Sequence, residues 1–265
     1  MTRVRVGAVG YLNARPLVRG LARENGRFDV RFDVPSTCAS LLHDGAIDVG
    51  LIPSIEYFGG PDYRVVPGIG IISNGPVASV ALFTTREPRA IRSVALDSSS
   101  RTSAALVRIL CAEHFAITPE FRTLPPDPAV MLRQCDAALL IGDVALFLDA
   151  EEAGVEKIDL GDEWTRFTGL PFVWAFWAGR RDALTPEDIA ELTRARDEGI
   201  AHSDEEARAY LADRPDRIPL GVRYLRESIK FVLGEHEKAG LQRYYDAAAR
   251  LGIIPPGSTP SFYGE

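Results

Sequence analysis

The sequence is poor in lysine, in cysteine and in long apolar runs. Lysine supplies only three of the 30 basic residues, and the formal net charge is −7. Electrostatic binding of nucleic acid requires a basic face, so the lack of any Lys/Arg-dense block predicts no nucleic-acid partner. The three cysteines follow no spacing typical of a disulfide framework or a zinc site. We expect small buried thiols at Cys38, Cys111 and Cys135.

Membrane-spanning and export signals are also missing from the pattern. No stretch approaches the ~20 consecutive apolar residues that a transmembrane helix needs. The first residues, MTRVRVGAVGYLNARPL, place charges among the apolar positions, so they do not form the apolar core of a signal peptide. The sequence therefore predicts no membrane partner and a cytoplasmic location.

Several catalytic motifs have no counterpart in the chain. There is no GxGxxG, no Walker A loop, no HExxH and no GxSxG elbow. The four histidines fall on predicted helices or their ends, outside the loops that could bind a ligand. We therefore expect no metal, no cofactor and no histidine general base; the histidines are His43, His114, His202 and His236.

The first fifty residues have an alternating α/β pattern. Val4, Val6 and Ala8 alternate with polar or small residues, which predicts a strand that ends in a turn at 10–13. Pro16 suits the first turn of a helix that we expect to continue through Leu21 and Ala22. A strand over 28–34, a helix after Pro35 and a buried strand over 48–52 complete a βαβαβ unit, so the sheet is expected to be mainly parallel.

The rest of the chain predicts a second α/β unit and a helical C-terminal part. Strands are expected at 93–97, 136–141 and in two long runs, 77–86 and 171–179; helices dominate after the Thr185–Asp188 capping box. We expect two lobes joined by the long strands. The first comprises residues 1–81 plus 181–265, and the second residues 82–180.

Four polar loops follow predicted strands, at 11–13, 35–38, 98–103 and 142–143. In open α/β sheets, ligands bind beyond the carboxyl ends of the strands. Helix N-termini there offer free N–H groups and partial positive charge, which suits carboxylates. The loop SSSRTS at 98–103 is the strongest candidate, with five hydroxyls and one arginine before a helix. These residues alone predict a two-lobed protein that binds a small anion.

Each candidate also has a purely structural explanation, and the pattern alone leaves both open. Serine and threonine before a helix are commonly caps, and Asn13 or Asp143 could serve a turn or a cap in the same way. Arg101 could be a solvated surface charge. Tryptophans more often fill a core than contact a ligand, which concerns Trp164, Trp174 and Trp177.

Six segments, in order between residues 4 and 180, resemble the chorismate dehydratase family of the futalosine route to menaquinone. VGAVGYLNARPL resembles the V-G-x-[VS]-x-Y-L-N-x-x-P-L opening of that family, and LDSSSRTSAAL resembles its L-D-x-x-S-x-T-S loop. The other four are DVGLIPSIEY, VASVALF, LLIGDVAL and WTRFTGLPFVWAFW. Each is weakly specific alone, but six in register identify the family. The C-terminal third is generic helix and adds little.

The resemblance implies a fold, a reaction and a partner. The fold is α/β, two-lobed and like that of type II periplasmic binding proteins, with mixed sheets flanked by helices and a ligand cleft between the lobes. The reaction removes water from chorismate to give 3-[(1-carboxyvinyl)oxy]benzoate, without a cofactor. Because the loops contain no histidine, we hypothesise that the enolpyruvyl carboxylate of the substrate takes the ring proton. Whether the chain acts alone or as a homodimer stays open.

The resemblance also implies roles for the polar loop residues. Asn13 and Ser79 are the predicted catalytic residues, which orient the enolpyruvyl carboxylate and the departing hydroxyl. A carboxylate cradle, a facing wall and further contacts are expected from a second group, the predicted substrate-binding residues. They are Tyr11, Ser36, Ser54, Ser99, Arg101, Thr102, Ser103, Gly142 and Asp143.

Two other functions remain as alternatives. A solute-binding protein without catalysis could have the same fold, because fold does not fix function. A sister family makes dihydroxynaphthoate later in the same pathway, and it typically opens with Cys-Pro-Asn-Asp and uses a histidine base. Residues 11–17 read Tyr-Leu-Asn-Ala-Arg-Pro-Leu, which favours the dehydratase.

Overall fold

The computed structural model describes residues 3–23 and 26–265, in which helices pack around two β-sheets. The strands are β1 (Val4–Val9), β2 (Phe28–Asp33), β3 (Val49–Pro53), β4 (Tyr63–Val65), β5 (Ile71–Ser73), β6 (Val80–Thr84), β7 (Ser93–Asp97), β8 (Glu120–Leu124), β9 (Ala137–Ile141), β10 (Glu156–Asp159) and β11 (Phe172–Arg180). The helices are α1 (Arg15–Val18), α2 (Pro35–His43), α3 (Thr102–Ile109), α4 (Pro128–Gln134), α5 (Gly142–Phe147), α6 (Leu160–Thr168), α7 (Pro186–Ala201), α8 (Ser203–Tyr210), α9 (Ile218–Arg223) and α10 (Glu235–Arg250).

Both sheets are mixed, as the family resemblance implies. The mainly parallel sheet expected from the first fifty residues was wrong, because β11 joins the first sheet antiparallel to its neighbours. The first has the order β2-β1-β3-β11-β4, and β5 also pairs with β11. Strand β1 is parallel to β2 and β3, whereas β11 runs antiparallel to its neighbours. The second has the order β10-β6-β9-β7-β8. There β7 is parallel to β8 and β9, and β6 is antiparallel to β9 and β10.

The central strands are apolar because helices pack against them and both of their faces are buried. Every residue of β3, β6 and β9 is buried, and β11 is buried up to its last residue. A strand covered on both faces has a continuous apolar sequence rather than an alternating one. The edge strand β2 instead exposes Asp29, Arg31 and Phe32. Central strands were therefore the elements that the sequence predicted best.

The chain passes between the sheets at β6 and returns at β11. Strand β6 begins at Val80, within the run predicted at 77–86, and pairs in the second sheet. Strand β11 pairs with β3, β4 and β5 of the first sheet. The division into lobes at 81/82 and 180/181 stays a prediction, with β11 counted in the second lobe by that division.

Helix ends follow local chemistry. The predicted capping box is confirmed at α7, where Thr185 accepts from the Asp188 N–H and Asp188 accepts from the Thr185 N–H. The helix predicted to continue from Pro16 through Leu21 and Ala22 was wrong in length. It ends at Val18 because Gly20 adopts a φ of 70°, a left-handed conformation that favours glycine and ends a helix.

The three cysteines are buried and unpaired, as predicted. Burial raises the pKa of Cys38 and of Cys111 to about 12, so both stay thiols at neutral pH. Over the described ranges, no helix combines the length and the apolar character needed to cross a membrane.

Candidate active site

A cavity lies between the two sheets, at the ends of strands that the sequence predicted to carry ligand loops. Strands β1, β3, β5 and β11 and the loops beside them supply one wall, and β6, β9 and α3 supply the other. Among the described residues, those of the lining include hydroxyl and amide groups but no carboxylate, ammonium or guanidinium. They are Val9, Tyr11, Asn13, Pro35, Pro53, Ile71, Val77, Ser79, Val80, Ser100, Thr102, Ser103, Ile141, Gly142, Trp174 and Ala175.

The structure brings six of the eleven predicted site residues together in this lining. They are Tyr11, Asn13, Ser79, Thr102, Ser103 and Gly142. The other five lie close by but outside the lining, namely Ser36, Ser54, Ser99, Arg101 and Asp143. Ser100 and Trp174 line the cavity although the sequence analysis gave neither a role. The roles of all eleven residues stay predictions.

Asn13 and Ser79 approach the cavity from different elements. Asn13 lies in the short 3₁₀ turn Leu12–Ala14 after β1, and Ser79 directly precedes β6. The Ser79 Oγ lies 2.7 Å from the hydroxyl oxygen of Tyr224. Asn13 Oδ1 is buried and has no hydrogen-bond partner in the described part of the chain. An unsatisfied buried acceptor is costly, so this oxygen is a candidate ligand-binding atom.

Asp97 stabilises the start of the 98–103 loop through hydrogen bonds from Ser99. Its carboxylate, at the end of β7, accepts from the backbone N–H of Ser99 at 2.8 Å and from the Ser99 hydroxyl at 2.6 Å. Burial raises the pKa of Asp97, and the two Ser99 contacts oppose that rise. The Ser99 hydroxyl is therefore used inside the loop, whereas Ser100, Thr102 and Ser103 reach the cavity.

Two helices begin at the cavity without a side-chain cap. Helix α2 begins at Pro35 and α3 begins at Thr102, and both residues line the cavity. Neither Val34 nor Arg101, the residues that precede the two helices, caps its helix with a side chain. The first N–H groups of a helix have no intrahelical acceptor and carry partial positive charge. Because the lining has no cationic side chain, these N–H groups and the hydroxyls are the donors available to an anion.

Arg101 points to a separate open groove on the other side of the loop. Its guanidinium donates to Glu56 Oε2 at 2.5 Å and to Ser40 Oγ at 3.2 Å, and its side chain is 42% exposed. His43 Nε2 lies 3.1 Å from the same Glu56 oxygen. Arg108 also lines this groove. In this arrangement Arg101 does not line the cavity, and its contact with a substrate carboxylate stays a prediction.

Asp143, Ser54 and Thr102 connect the two sides of the cavity. Asp143 accepts from the backbone N–H of Leu12 at 3.3 Å and from the hydroxyl of Tyr210. Thr102 Oγ1 accepts from the N–H of Ile55 at 3.2 Å, next to Ser54 Oγ at 3.4 Å. These contacts hold the loops after β7 and β9 against the first sheet and close the cavity on two sides.

Gly142 is required by its backbone and by its neighbour. Its φ is 61°, a left-handed conformation that disfavours residues with a Cβ. A Cβ at this position would lie 2.8 Å from the ring of Tyr11. The glycine therefore allows the start of α5 to approach Tyr11 across the cavity.

Tyr224 and Tyr210 are the site neighbours that sequence reasoning missed. Both come from the C-terminal helical part, which showed a generic helical pattern. Tyr224 contacts Ser79, and Tyr210 contacts Asp143. A tyrosine on a helix gives no sequence signal for a contact more than 60 residues away, so only the fold could bring these pairs together.

Two mixed sheets with a cavity of apolar and neutral polar residues between them define an α/β protein of the periplasmic-binding-protein-like fold. Solved structures support this class. A protein from Archaeoglobus fulgidus matches with a TM-score of 0.76 at 20% identity, covering 95% of this chain and 98% of that one. The periplasmic aliphatic sulphonate binding protein SsuA from Escherichia coli matches with a TM-score of 0.68 at 16% identity, covering 100% and 95%.

The chain belongs to the menaquinone biosynthesis family, whose model matches residues 4–250. It is 31% identical to the chorismate dehydratase of Thermus thermophilus over 277 residues, covering 98% of each protein. It is 27% identical to the chorismate dehydratase of Campylobacter jejuni over 254 residues, covering 93% of this chain and 98% of that protein. The family predicted from the six sequence segments is confirmed.

Proposed function

We propose that this protein is a chorismate dehydratase, a hydro-lyase that converts chorismate to 3-[(1-carboxyvinyl)oxy]benzoate. The observation that carries the proposal is the cavity between the sheets, which Asn13, Ser79, Thr102 and Ser103 line without any charged side chain. The activity of relatives that span nearly the whole chain supports the same reaction.

The reaction requires a base that removes a ring proton and a hydroxyl that can leave as water. The ring carbon that carries the enolpyruvyl ether loses its proton, and the neighbouring carbon loses its hydroxyl, which leaves as water. Tyr11 is the titratable side chain in the described lining, and burial raises its pKa above the ordinary value. A phenol that keeps its proton at neutral pH is a poor base. This supports the substrate's own enolpyruvyl carboxylate as the group that takes the proton.

The protein would then contribute orientation, hydrogen bonds and exclusion of water. Holding a reacting group in place can supply roughly 7–11 kcal/mol in well-oriented intramolecular reactions. We assign Asn13 and Ser79 to the departing hydroxyl and the enolpyruvyl carboxylate. We assign Thr102, Ser103 and the N–H groups at the start of α3 to a carboxylate cradle. Tyr11 and Gly142, which approach each other across the cavity, would complete the enclosure of the substrate.

The other predicted residues would support this arrangement from behind the lining. Ser99 is engaged with Asp97, and Asp143 joins α5 to the turn after β1. Ser54 donates to the carbonyl of Val173 at 2.8 Å, and Ser36 lies in the first turn of α2. Closure of the two proposed lobes, 1–81 plus 181–265 and 82–180, would enclose the substrate. We also propose that the reaction belongs to the futalosine route and takes place in the cytoplasm.

The test is incubation of the purified protein with chorismate, followed by chromatography and proton NMR. We expect chorismate to disappear and one equivalent of the aromatic enolpyruvyl ether to form, in buffer treated with a chelator. Binding without conversion would favour the solute-binding alternative. Intact, unbound chorismate would contradict the proposal and leave the dihydroxynaphthoate-forming reaction to be assayed with its own substrate.

A further inference from the structure

Tyr224 lies behind the cavity wall and contacts both residues proposed to act on the substrate. It opens the π-helical turn Tyr224–Ser228 after α9, and it is only 2% exposed. Its hydroxyl oxygen lies 2.7 Å from Ser79 Oγ, and the Asn13 side chain is near enough to oppose the rise of its pKa that burial causes. Because Tyr224 is not part of the lining, it can influence a ligand only through these two side chains.

Other buried tyrosines use their hydroxyls differently. Tyr57, Tyr244 and Tyr245 each donate to a backbone carbonyl, at 2.7, 3.0 and 2.7 Å. A backbone carbonyl is sufficient to satisfy a buried hydroxyl. The hydroxyl of Tyr224 instead meets the polar ends of two side chains that face the cavity, so its role extends beyond packing.

The protonation state of Tyr224 decides whether its hydroxyl can donate a hydrogen bond. Burial raises the pKa of this phenol well above its ordinary value, although hydrogen bonds with Ser79 and Asn13 oppose the rise. The phenol therefore carries its proton at neutral pH and has one hydrogen to donate. When it donates to Ser79 Oγ, the hydrogen of Ser79 is free to point into the cavity.

The same hydroxyl can orient Asn13. An amide that donates one N–H to the Tyr224 oxygen turns its carbonyl oxygen elsewhere, and Asn13 Oδ1 is the buried acceptor that lacks a partner. A ligand hydroxyl that donates to Oδ1 would remove this penalty. The result is a donor from Ser79 and an acceptor from Asn13 on one patch of the wall.

We propose that Tyr224 is a positioning residue that sets Ser79 as a hydrogen-bond donor and Asn13 as an acceptor toward one substrate hydroxyl. This inference rests on the proposed function, since the departing hydroxyl of chorismate can accept from Ser79 and donate to Asn13. As the carbon–oxygen bond breaks, the Ser79 donor stabilises charge on the leaving oxygen. That oxygen then takes the proton removed from the neighbouring carbon and departs as water.

The first test is Tyr224→Phe, which removes the hydroxyl and keeps the ring that fills the core. We expect kcat to fall roughly 10- to 100-fold while KM stays within about threefold, because orientation rather than binding is lost. The matched control is Tyr57→Phe, which removes another buried tyrosine hydroxyl, one that donates to a backbone carbonyl and does not line the cavity. We expect the control to keep its kcat, with a similar change of melting temperature in both variants.

A double-mutant cycle separates positioning from general damage. We expect the loss of kcat for Ser79→Ala combined with Tyr224→Phe to be clearly smaller than the product of the two single losses, because residues that act as a unit are not additive. The loss that Tyr224→Phe still causes in the Ser79→Ala background is the part that acts through Asn13. Fully multiplicative losses, or a Tyr224→Phe enzyme with normal kcat, would overturn the inference.

A second replacement keeps the hydroxyl and covers the case in which Tyr224→Phe does not fold. Incorporation of 3,5-difluorotyrosine at position 224 lowers the pKa of the phenol. Ionisation removes the hydrogen that Ser79 accepts, so the alkaline limb of the kcat profile should move to lower pH than in wild type. An unchanged profile would overturn the inference. Failure of the wild type to convert chorismate would instead contradict the proposed function, whereas conversion by wild type with an unaffected Tyr224→Phe variant would overturn only the role of Tyr224.

Discussion

The two faces of the 98–103 loop are chemically different. On the cavity face, Thr102 and Ser103 present neutral hydroxyls at the start of α3. On the groove face, Ser98 is exposed and Arg101 is ion-paired with Glu56. Removing a guanidinium from water costs several kcal/mol unless an anion compensates it fully. Neutral hydroxyls and N–H groups have a much lower desolvation cost than a guanidinium. The loop therefore directs its neutral donors toward the cavity and its charge toward the groove.

The largest expected effect belongs to the cavity. Asn13→Ala removes the amide with the unpartnered buried oxygen, and the proposed contact with the departing hydroxyl is lost with it. We expect kcat/KM for chorismate to fall by about 10²–10³, as for the loss of a positioned polar group that acts in the transition state. Steady-state assays by the absorbance of the aromatic product measure it.

Asn74→Ala is the matched control, because Asn74 is exposed and lies outside the cavity lining. We expect its kcat/KM to equal that of wild type. Near-normal turnover by Asn13→Ala would remove Asn13 from the proposed mechanism and would leave Ser79 as the polar group on that wall.

Removal of one hydroxyl from each face tests the comparison directly. Ser103→Ala deletes a buried hydroxyl that lines the cavity, and Ser98→Ala deletes an exposed one on the groove side. We expect a fall in kcat/KM of about tenfold for Ser103→Ala, the value of one hydrogen bond to a charged group. Ser98→Ala is expected to match wild type. Equal effects of the two changes would show that the faces are not distinct.

Arg101→Met tests whether the charge on the groove face takes part in binding the substrate. An exposed ion pair such as Arg101–Glu56 contributes about 0.2–1 kcal/mol. If Arg101 only stabilises the contact between the loop and residue 56, KM should rise less than about fivefold, and the effect should shrink at high salt.

A much larger loss would reverse that conclusion. If Arg101→Met lowered kcat/KM by about 100-fold or more, Arg101 would bind a substrate carboxylate, as the sequence predicted. The side chain would then have to exchange Glu56 for the substrate. Glu56→Gln is the informative partner variant, since it would free Arg101 and lower KM in that case.

The central strands could be predicted from the sequence because a strand that is buried on both faces has a continuous apolar sequence. Strands such as β3 and β9 are short apolar runs bounded by glycine or polar residues. The short strands β4 and β5, with three residues each, offer too little pattern to recognise. The helix beyond Val18 was overestimated because the conformation of Gly20 overrides the apolar spacing.

Half of the candidate site followed from loop positions, and half depended on side-chain direction. The chain order of strands and loops predicted that Asn13, Thr102, Ser103 and Gly142 would approach one another, and the family resemblance added Ser79. It could not predict that Asp97 would hold the Ser99 hydroxyl, or that Glu56 would pair with Arg101. The direction of these two side chains depends on the local turn for Ser99 and on a residue distant in sequence for Arg101. Residue type alone does not reveal either direction.

The smallest expected effect concerns Asp97, which keeps the loop divided into its two faces. Burial raises its pKa above the ordinary 3.8, so the native state binds more protons than the unfolded chain between 3.8 and the native pKa. The contribution of Asp97 to stability therefore falls as pH rises through that window and is constant above it.

Asp97→Asn keeps an oxygen for Ser99 and removes this titration. Urea unfolding at a series of pH values should show the stability of wild type, relative to Asp97→Asn, increasing only on the acidic side. A parallel pair of curves at every pH would mean that the loop rests on the Ser99 contacts alone and not on the charge of Asp97.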